Sequence, residues 1–549
     1  MHITKQAWKS KNGKTYYTVL LRESFREEGR VKKRTIANLK NCSEKDVAAI
    51  EFALRHKDSL DSLISRSSIH TKQGKSFGAV WAVYQIAQRL GIQEALGDTF
   101  QGKLALWQVI GRVIDQGSRL SAVRLASAHA CEILGFTRGF NEDDLYENLS
   151  WVTENQDSIE DRLFQQRARN HTKPPELFLY DVTSSYFEGD KNELAAYGYN
   201  RDRKKGKKQV VMGLLCDEEG TPLSAELFKG NTQDPQTFSS QIRKATKRFG
   251  CTRATFVGDR GMIKAGQIEI LDDAAFHYIT AITKPQIETL LKAGTLNLDL
   301  FDTEICEVAS ENVRYIYRKN PWRAEEIAAT RQSKCSICQQ LITEQNLYLK
   351  EHPRAGTATA LKKINQKIKT FKIGGWVSAT VKDRILELKI DEAQLYQEAV
   401  LDGCYVIKTD LPGQMADKQT IHDRYKDLAL VENAFRTCKT AHLELRPIYV
   451  RTEAHTRAHA LIVMLSYMVL RELRQMWKSI DMTVEEGIEQ LKTVCTMEVS
   501  ISGKCFWNIP EPRKEIKNLL ECSAVKLPAT LPYVNLKVVT KKKLVHKRK

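Results

Sequence analysis

The sequence predicts an α/β protein built on a mixed sheet, preceded by a small β segment and a helical domain. Three observations lead there. Short apolar runs, partly β-branched, succeed one another between residues 177 and 282, with helical spacing between some of them. Before them, residues 77 to 163 carry apolar positions at 3.6-residue intervals. At the start, two strand-like segments flank Glu28-Gly29.

Lys14–Leu21 and Val31–Leu39 read as strands, with Glu28-Gly29 as the turn. From Phe77 the pattern is helical: Val80, Val83, Tyr84 and Ala87 recur on one face, as do Leu106, Val109, Ile110 and Val113. Arg112, Arg119 and Arg124 offer a DNA-facing set, with ordinary solvated arginines as the alternative. The next runs are Leu177–Val182, Gln209–Cys216, Pro222–Phe228, Thr255–Gly258 and Tyr278–Ile282. A helix spans Pro235–Phe249, giving three strands, a helix, a strand, a helix and a strand. From Thr283 to about Leu401 the rhythm breaks, with strands at Val313–Arg318 and Ile385–Ile390 and helices at Arg323–Lys350 and Ala360–Phe371. We read this stretch as an insertion. Helices return at His422–Lys439 and Arg457–Trp477, and no internal repeat is present.

At 549 residues with 42% hydrophobic content, the chain has enough apolar material for several cores, which excludes a mainly disordered protein. The 12 cysteines are spread evenly, as suits a reduced interior better than a disulfide scaffold. The opening Met-His-Ile-Thr-Lys-Gln has no signal-like apolar run, and the longest apolar stretch, Ala460–Leu470, is too short to cross a bilayer. A basic intracellular protein without a membrane span is expected.

Lys and Arg number 85 against 67 Asp and Glu, a net of +18. Two segments carry most of the excess: Arg201–Lys208 at +5 and Lys537–Lys549 at +7. Concentrated positive charge favours a polyanion, nucleic acid above all; the plain alternative is a solvated loop and a frayed tail.

Two acids stand at the ends of apolar runs. Asp181 follows Leu177–Tyr180, and Asp259 follows Ala254–Gly258 with Gly261 close behind. An acid at the end of a buried strand faces a cleft, binds a cation or caps a turn. Farther on, Tyr425, Glu432 and Lys439 are spaced by seven, so on one helix all three share a face. Arg436 lies about 40° from Glu432 on that face. Leu428, Val431, Phe435 and Cys438 form the neighbouring apolar stripe. The ordinary reading of Glu432 and Arg436 is an i, i+4 salt bridge.

Tyr425-x2-Leu428-x3-Glu432-x6-Lys439 resembles the Y-x2-R-x3-E-x6-K signature of the IS-four-like insertion-sequence transposases. YKDLALVENAFRTCK resembles the IS-sixteen-thirty-four branch of that group. LFLYDVTSSYFEG, GNTQDPQTF and FVGDRGMI resemble its other blocks. One position departs: the signature's Arg falls on Leu428, and Arg436 is offered as its replacement.

The resemblance implies an RNase H-like fold in which Asp181, Asp259 and Glu432, separated by 78 and 173 residues, hold divalent metal and carry catalysis. It implies two Mg2+ ions, or Mn2+, per active site, since hard cations take carboxylate oxygens. Tyr425, Arg436 and Lys439 would contact DNA, as would Arg201, Arg203, Lys204 and Lys205 of the basic run. The organisation it implies is a β-rich segment at 1–70 and a helical DNA-binding domain at 71–172. A core follows in two parts at 173–283 and 402–480, interrupted by a largely β insertion at 284–401. Residues 481–549 form a C-terminal region with a basic tail. The implied activity is cleavage at element ends and strand transfer, by a cut-and-paste route. The partners would be terminal inverted repeats, target DNA and a second copy of the chain, in a bacterial cytoplasm at the nucleoid. Two other readings stand beside it: a catalytically inert DNA-binding regulator, and a structure-specific nuclease of the same fold.

Three further patterns attract plainer readings. Cys335-x2-Cys338 has half a zinc site's spacing but no second half nearby, so both read as small apolar residues. His455 and His459 lack the Glu of a His-Glu-x2-His motif and read as capping and packing. Trp322 and Trp376 lie in the insertion, where a core role suffices. No Gly-x4-Gly-Lys-Ser/Thr loop occurs, so ATP is not implied.

Overall fold

The computed structural model describes residues 1–58, 69–170, 175–189, 191–199, 201–202, 204–301, 304–440, 443–446, 448–501, 504–528 and 536–541. Arg203 and most of the basic tail lie outside the described residues. The chain divides into two compact units. One gathers Met1–Lys75 with Val494–Glu511, the other Ser76–Thr493 with Pro512–Lys526.

The first unit opens with an antiparallel meander of β1 (His2–Lys9), β2 (Thr15–Glu27) and β3 (Arg30–Asn38). Glu28 and Gly29 have φ of +48° and +77°, and Glu27 faces Arg30 across the turn. Two left-handed residues match the twist of a tight hairpin, which is why a glycine closes it. Helix α1 (Glu44–Arg55) starts at Ser43, whose hydroxyl accepts from the Asp46 amide while Asp46 accepts from the Ser43 amide. Strand β4 (Ile69–Ser76) follows.

The second unit begins with six helices: α2 (Gly78–Arg89), α3 (Ile92–Leu96), α4 (Phe100–Ile114), α5 (Arg119–Ala128), α6 (Glu142–Glu154) and α7 (Gln156–Asn170). Thr99 caps α4 and Asn141 caps α6, as short polar side chains do. The periodic residues Val80, Val83, Ala87, Leu106, Val109, Ile110 and Val113 are buried. Arg112 and Arg119 are buried too, and neither is the solvated surface residue their helical positions suggested.

The sheet strands and helices then come in the expected order: β5 (Leu177–Tyr186), β6 (Gln209–Cys216), β7 (Pro222–Lys229), α8 (Asp234–Lys247), β8 (Thr255–Gly258), α9 (Ala265–Asp273) and β9 (His277–Ala281). Phe178, Tyr180 and Val182 alternate onto the face shared with Phe238, Ile242, Leu271 and Phe276. Asp181 therefore points to the opposite face of the sheet.

Residues 284–439 depart from expectation in three respects. First, the stretch 284–401 is not largely β. It holds α10 (Lys284–Lys292), β10 (Cys306–Ser310), β11 (Val313–Lys319), α11 (Pro321–Glu351), α12 (Thr357–Phe371), β12 (Val377–Lys382), β13 (Ile385–Ile390) and α13 (Glu392–Ala399). Asn320 caps α11 and Pro321 opens it, and a long run of good helix formers carries it through 31 residues. Second, this stretch is not wholly separate from the core. β10 and β11 join β14 (Cys404–Thr409) in an eight-stranded sheet of order β10-β11-β14-β9-β8-β5-β6-β7. The excursion outside that sheet runs from α11 to α13, around its own core of Cys338, Ile342, Ile364, Ile368, Trp376 and Leu386.

Third, the helix expected over His422–Lys439 is two helices, α14 (Lys418–Lys426) and α15 (Leu428–Lys439). They meet at Asp427, where the Leu430 amide donates to the Asp427 carbonyl and the turn tightens to i, i+3. Helix α15 packs against β5 and against α16 (Glu453–Met476). The apolar run in α16 is buried nearly all round, against α4, α6 and β7. Among the described residues no helix is long and apolar enough to cross a membrane. Last come α17 (Val484–Lys492), β15 (Cys495–Ile501), β16 (Lys504–Asn508) and α18 (Lys514–Cys522), with β15 and β16 completing a three-stranded sheet with β4.

Candidate active site

Strand β5 is paired differently on its two sides. With β6 it stays paired from Leu179 to Tyr186, while the parallel pairing with β8 runs only from Leu177↔Thr255 to Tyr180↔Gly258. The next residue on each strand is an acid, Asp181 and Asp259. Asp181 is thus inside its strand, not at its end as the apolar run suggested, but it stands where the neighbouring parallel strand stops. A cleft opens there, at the carboxyl end of parallel strands. Gly261, with φ of +80°, turns the chain away just after Asp259.

Helix α15 brings Glu432 to the same place. One cavity of about 450 Å3 is lined by Asp181, Asp259 and Glu432 together with Arg201, Asp202, Asp234, Arg260, Arg436, Lys439 and Arg446. Five acids and five cations share its wall, and the pairing among them is uneven. Arg201 grips Asp234 with two hydrogen bonds of 2.9 and 2.8 Å. Asp202 accepts from Lys439 at 3.2 Å and from Arg446 at 2.5 Å. Among the described residues, Asp181, Asp259 and Glu432 have no ion-pair partner, and Glu432 does not bridge to Arg436. The acids left without a counter-charge are the three singled out by the sequence.

The Asp181 carboxyl is pushed up to about 7, by burial first and then by the charges of Asp259 and Glu432, against the Val182 amide that donates to it at 2.7 Å. Asp259 accepts from the Arg260 amide at 2.6 Å and from the Tyr425 hydroxyl at 3.2 Å. Among the described residues, no three His, Cys, Asp or Glu side chains form a ready-made metal-holding group. Like charges explain this: without a cation to draw them in, the three acids stay apart, Asp181 on the Val182 amide and Asp259 on the Arg260 amide and the Tyr425 hydroxyl. The donor set itself, all carboxylate oxygen with its repulsion recorded at Asp181, is the chemistry a hard divalent cation fits.

The other expected residues are distributed as follows. Tyr425, on α14, reaches Asp259. Arg436 is exposed and lines the cavity. Lys439 is buried, held by Asp202, with its ammonium pulled down by burial. Leu428 is buried at the signature's Arg position. Arg201 lines the cavity already paired. Lys204 and Lys205 are exposed beside it in sequence, Lys204 near the Tyr186 ring. Arg203 is outside the described residues. Cys335 and Cys338 pack in the excursion's core with Trp376, while Trp322 is exposed. His455 meets Ser150 and His459 meets Arg119.

Asp202, Asp234, Arg260 and Arg446 were missed from the sequence. A signal existed for one of them: Asp202 is the single acid inside the basic run 201–208.

A family model described as the transposase DDE domain matches residues 172–469. A second, described as the IS1634 family transposase N-terminal domain, matches residues 3–63. No curated protein matches the sequence. Among solved structures, a piggyBac transposase synaptic complex with hairpin DNA is 8% identical, covers 75% of each chain and has a TM-score of 0.37. A Mos1 transposase paired-end complex with left transposon end is 11% identical, covers 44% of this chain and 69% of that one, and has a TM-score of 0.15. Overlaps this low add nothing to the family match. With the DDE domain spanning more than half its length and the second match at its start, this chain belongs to the DDE transposases of the IS1634 family.

Proposed function

We propose that the chain is a metal-dependent DNA transposase with an RNase H-like core, which cleaves at its element's terminal inverted repeats and joins the freed 3′ ends to target DNA by a cut-and-paste route. One observation supports the reading: on a wall of five acids and five cations, Asp181, Asp259 and Glu432 are the acids that form no ion pair among the described residues. A structural ion-pair cluster would pair them; a site for two divalent cations leaves them open.

Asp181, Asp259 and Glu432 would hold two Mg2+ ions, or Mn2+. When bound, such ions activate water or a 3′-OH and stabilise the leaving oxygen of a phosphodiester. The chain's own residues do the rest. Tyr425 holds the Asp259 carboxylate in place through its hydroxyl. Arg436, exposed on the wall, offers a guanidinium fork to a phosphate beside the scissile bond. Lys439 and Arg446, tied to Asp202, keep the floor of the cleft positive without competing for the three acids. Lys204 and Lys205 extend the positive surface along the DNA.

In this reading the N-terminal β-rich unit and the helices α2–α7 recognise the element ends, and the excursion from α11 to α13 shapes the cleft. Two ends must be handled together, so a homodimer forms on DNA, in the bacterial cytoplasm at the nucleoid. The test is a cleavage and strand-transfer assay with Mg2+. Asp181→Asn, Asp259→Asn and Glu432→Gln should each abolish both reactions while duplex DNA still binds. Full activity in any one variant would remove that residue from the site. A wild-type chain that binds but never cuts would be a regulator, and one that cuts but never joins would be a nuclease.

A further inference from the structure

A second cavity, of about 790 Å3, lies between the helices α4–α6 and the segment 444–459, lined by Arg112, Arg119, Glu444, Arg446, Arg451 and His459 among others. Its inner wall is unusual. Arg112 and Arg119 are each only 7% exposed. Arg112 donates to the carbonyls of Gln116 at 2.6 Å and Gly117 at 3.2 Å. Arg119 sets one Nη against His459 Nδ1 at 3.3 Å, and its buried Nε has no hydrogen-bond partner among the described residues.

Glu444 and Asp115 act on Arg112 through their charge, but among the described residues no acid forms an ion pair with Arg112 or Arg119. Glu444 is the one acid on the cavity wall among the described residues, and it is exposed. Burial and the like charge of Arg112 pull the Arg119 guanidinium down to about 9. His459 is held well below its ordinary value by burial and by both arginines, so it stays neutral and accepts from Arg119. A desolvated cation with a free donor is costly in an empty fold and becomes favourable once an anion completes it. The guanidinium fork selects a phosphate or a similar oxyanion.

Arg446 lines both this cavity and the acid-lined one. From that continuity, and resting on the function proposed above, we infer that the Arg112–Arg119 cavity is a second phosphate subsite, which takes a backbone phosphate of the DNA strand whose neighbouring phosphodiester lies at Asp181, Asp259 and Glu432. It anchors the strand through a buried guanidinium, apart from the exposed Lys204 and Lys205.

The test compares the intact wild-type chain with Arg119→Gln in two measurements. In the first, inorganic phosphate is added at constant ionic strength. The wild-type melting temperature should rise by about 1–2 °C, and the rise should vanish in the variant. In the second, duplex DNA binding is followed against salt. The variant should bind about tenfold more weakly, with the slope of log K against log salt smaller by about one. A folded variant that keeps both the phosphate response and the wild-type slope would overturn the subsite. Loss of the phosphate response with unchanged DNA binding would assign the cavity to a free anion and overturn the DNA assignment. A wild type that responds to phosphate but binds no DNA would sink the functional reading and, with it, the DNA source, while leaving the anion pocket. Should Arg119→Gln fail to fold, Arg451→Gln at the exposed rim meets the same slope criterion.

Discussion

Asp181 and Asp259 stand side by side on parallel strands, each one residue beyond the last matched pair, Tyr180 and Gly258. Adjacent strands lie about 4.8 Å apart, so this register alone brings two carboxylates together. Glu432 then needs only the docking of α15 on β5 to face them.

The charge on Asp181 opposes the fold in metal-free protein. Its folded pKa, about 7, lies above the ordinary 3.8, so the native state binds more protons than the unfolded chain between those values. Stability contributed below pH 4 is lost as pH rises through 7, by at most about 4 kcal/mol. In chelator, Asp181→Asn should therefore melt above the wild type at pH 8 and match it near pH 4. Equal melting at pH 8 would contradict the crowding of acids.

Tyr425 donates to Asp259 from a separate helix. Tyr425→Phe removes one hydrogen bond to a carboxylate and little volume. Cleavage at saturating metal should slow roughly tenfold, equivalent to about 1.4 kcal/mol, with DNA affinity unchanged. A single-turnover rate equal to wild type would assign the hydroxyl no part.

Asp202 has a side chain 3% exposed and neutralises Lys439, itself 9% exposed. Asp202→Ala strands a buried ammonium and should cost about 3 kcal/mol in urea unfolding. Adding Lys439→Met should recover part of that loss, because the stranded charge goes with it. A second substitution that merely adds to the first would show that the pair is not coupled.

Leu428 fills the place of the signature's Arg and is buried. Restoring the signature with Leu428→Arg should lower stability by about 2 kcal/mol or more and leave cleavage no faster. A gain in activity would mean that Arg436 does not do the work of the absent cation.

Much of the core was legible without coordinates. Runs such as Gln209–Cys216 and Thr255–Gly258 announce strands because an apolar stretch bounded by turn residues has few other uses. Asp181 and Asp259 stood out because acids ending such runs need a reason. The helix break at Asp427 was not legible: YKDLALVEN carries no Pro or Gly, and the tightening there is a matter of packing. Within 284–401 the residues themselves announced α11 and α12, and only the largely β character implied by the resemblance failed, because the good helix formers of α11 carry it through 31 residues.

Sequence by itself determined the order of the core strands and helices and the family, and it singled out three acids, since apolar period, turn chemistry and motif spacing are properties of short stretches of chain. Tertiary structure decided which acids are neutralised: Asp202 by Lys439 and Arg446, Asp234 by Arg201, and Asp181, Asp259 and Glu432 by none among the described residues. It likewise decided that Arg112 and Arg119 are buried. Charge pairing and desolvation depend on groups far apart in sequence meeting across a few ångströms, and no local pattern encodes that distance.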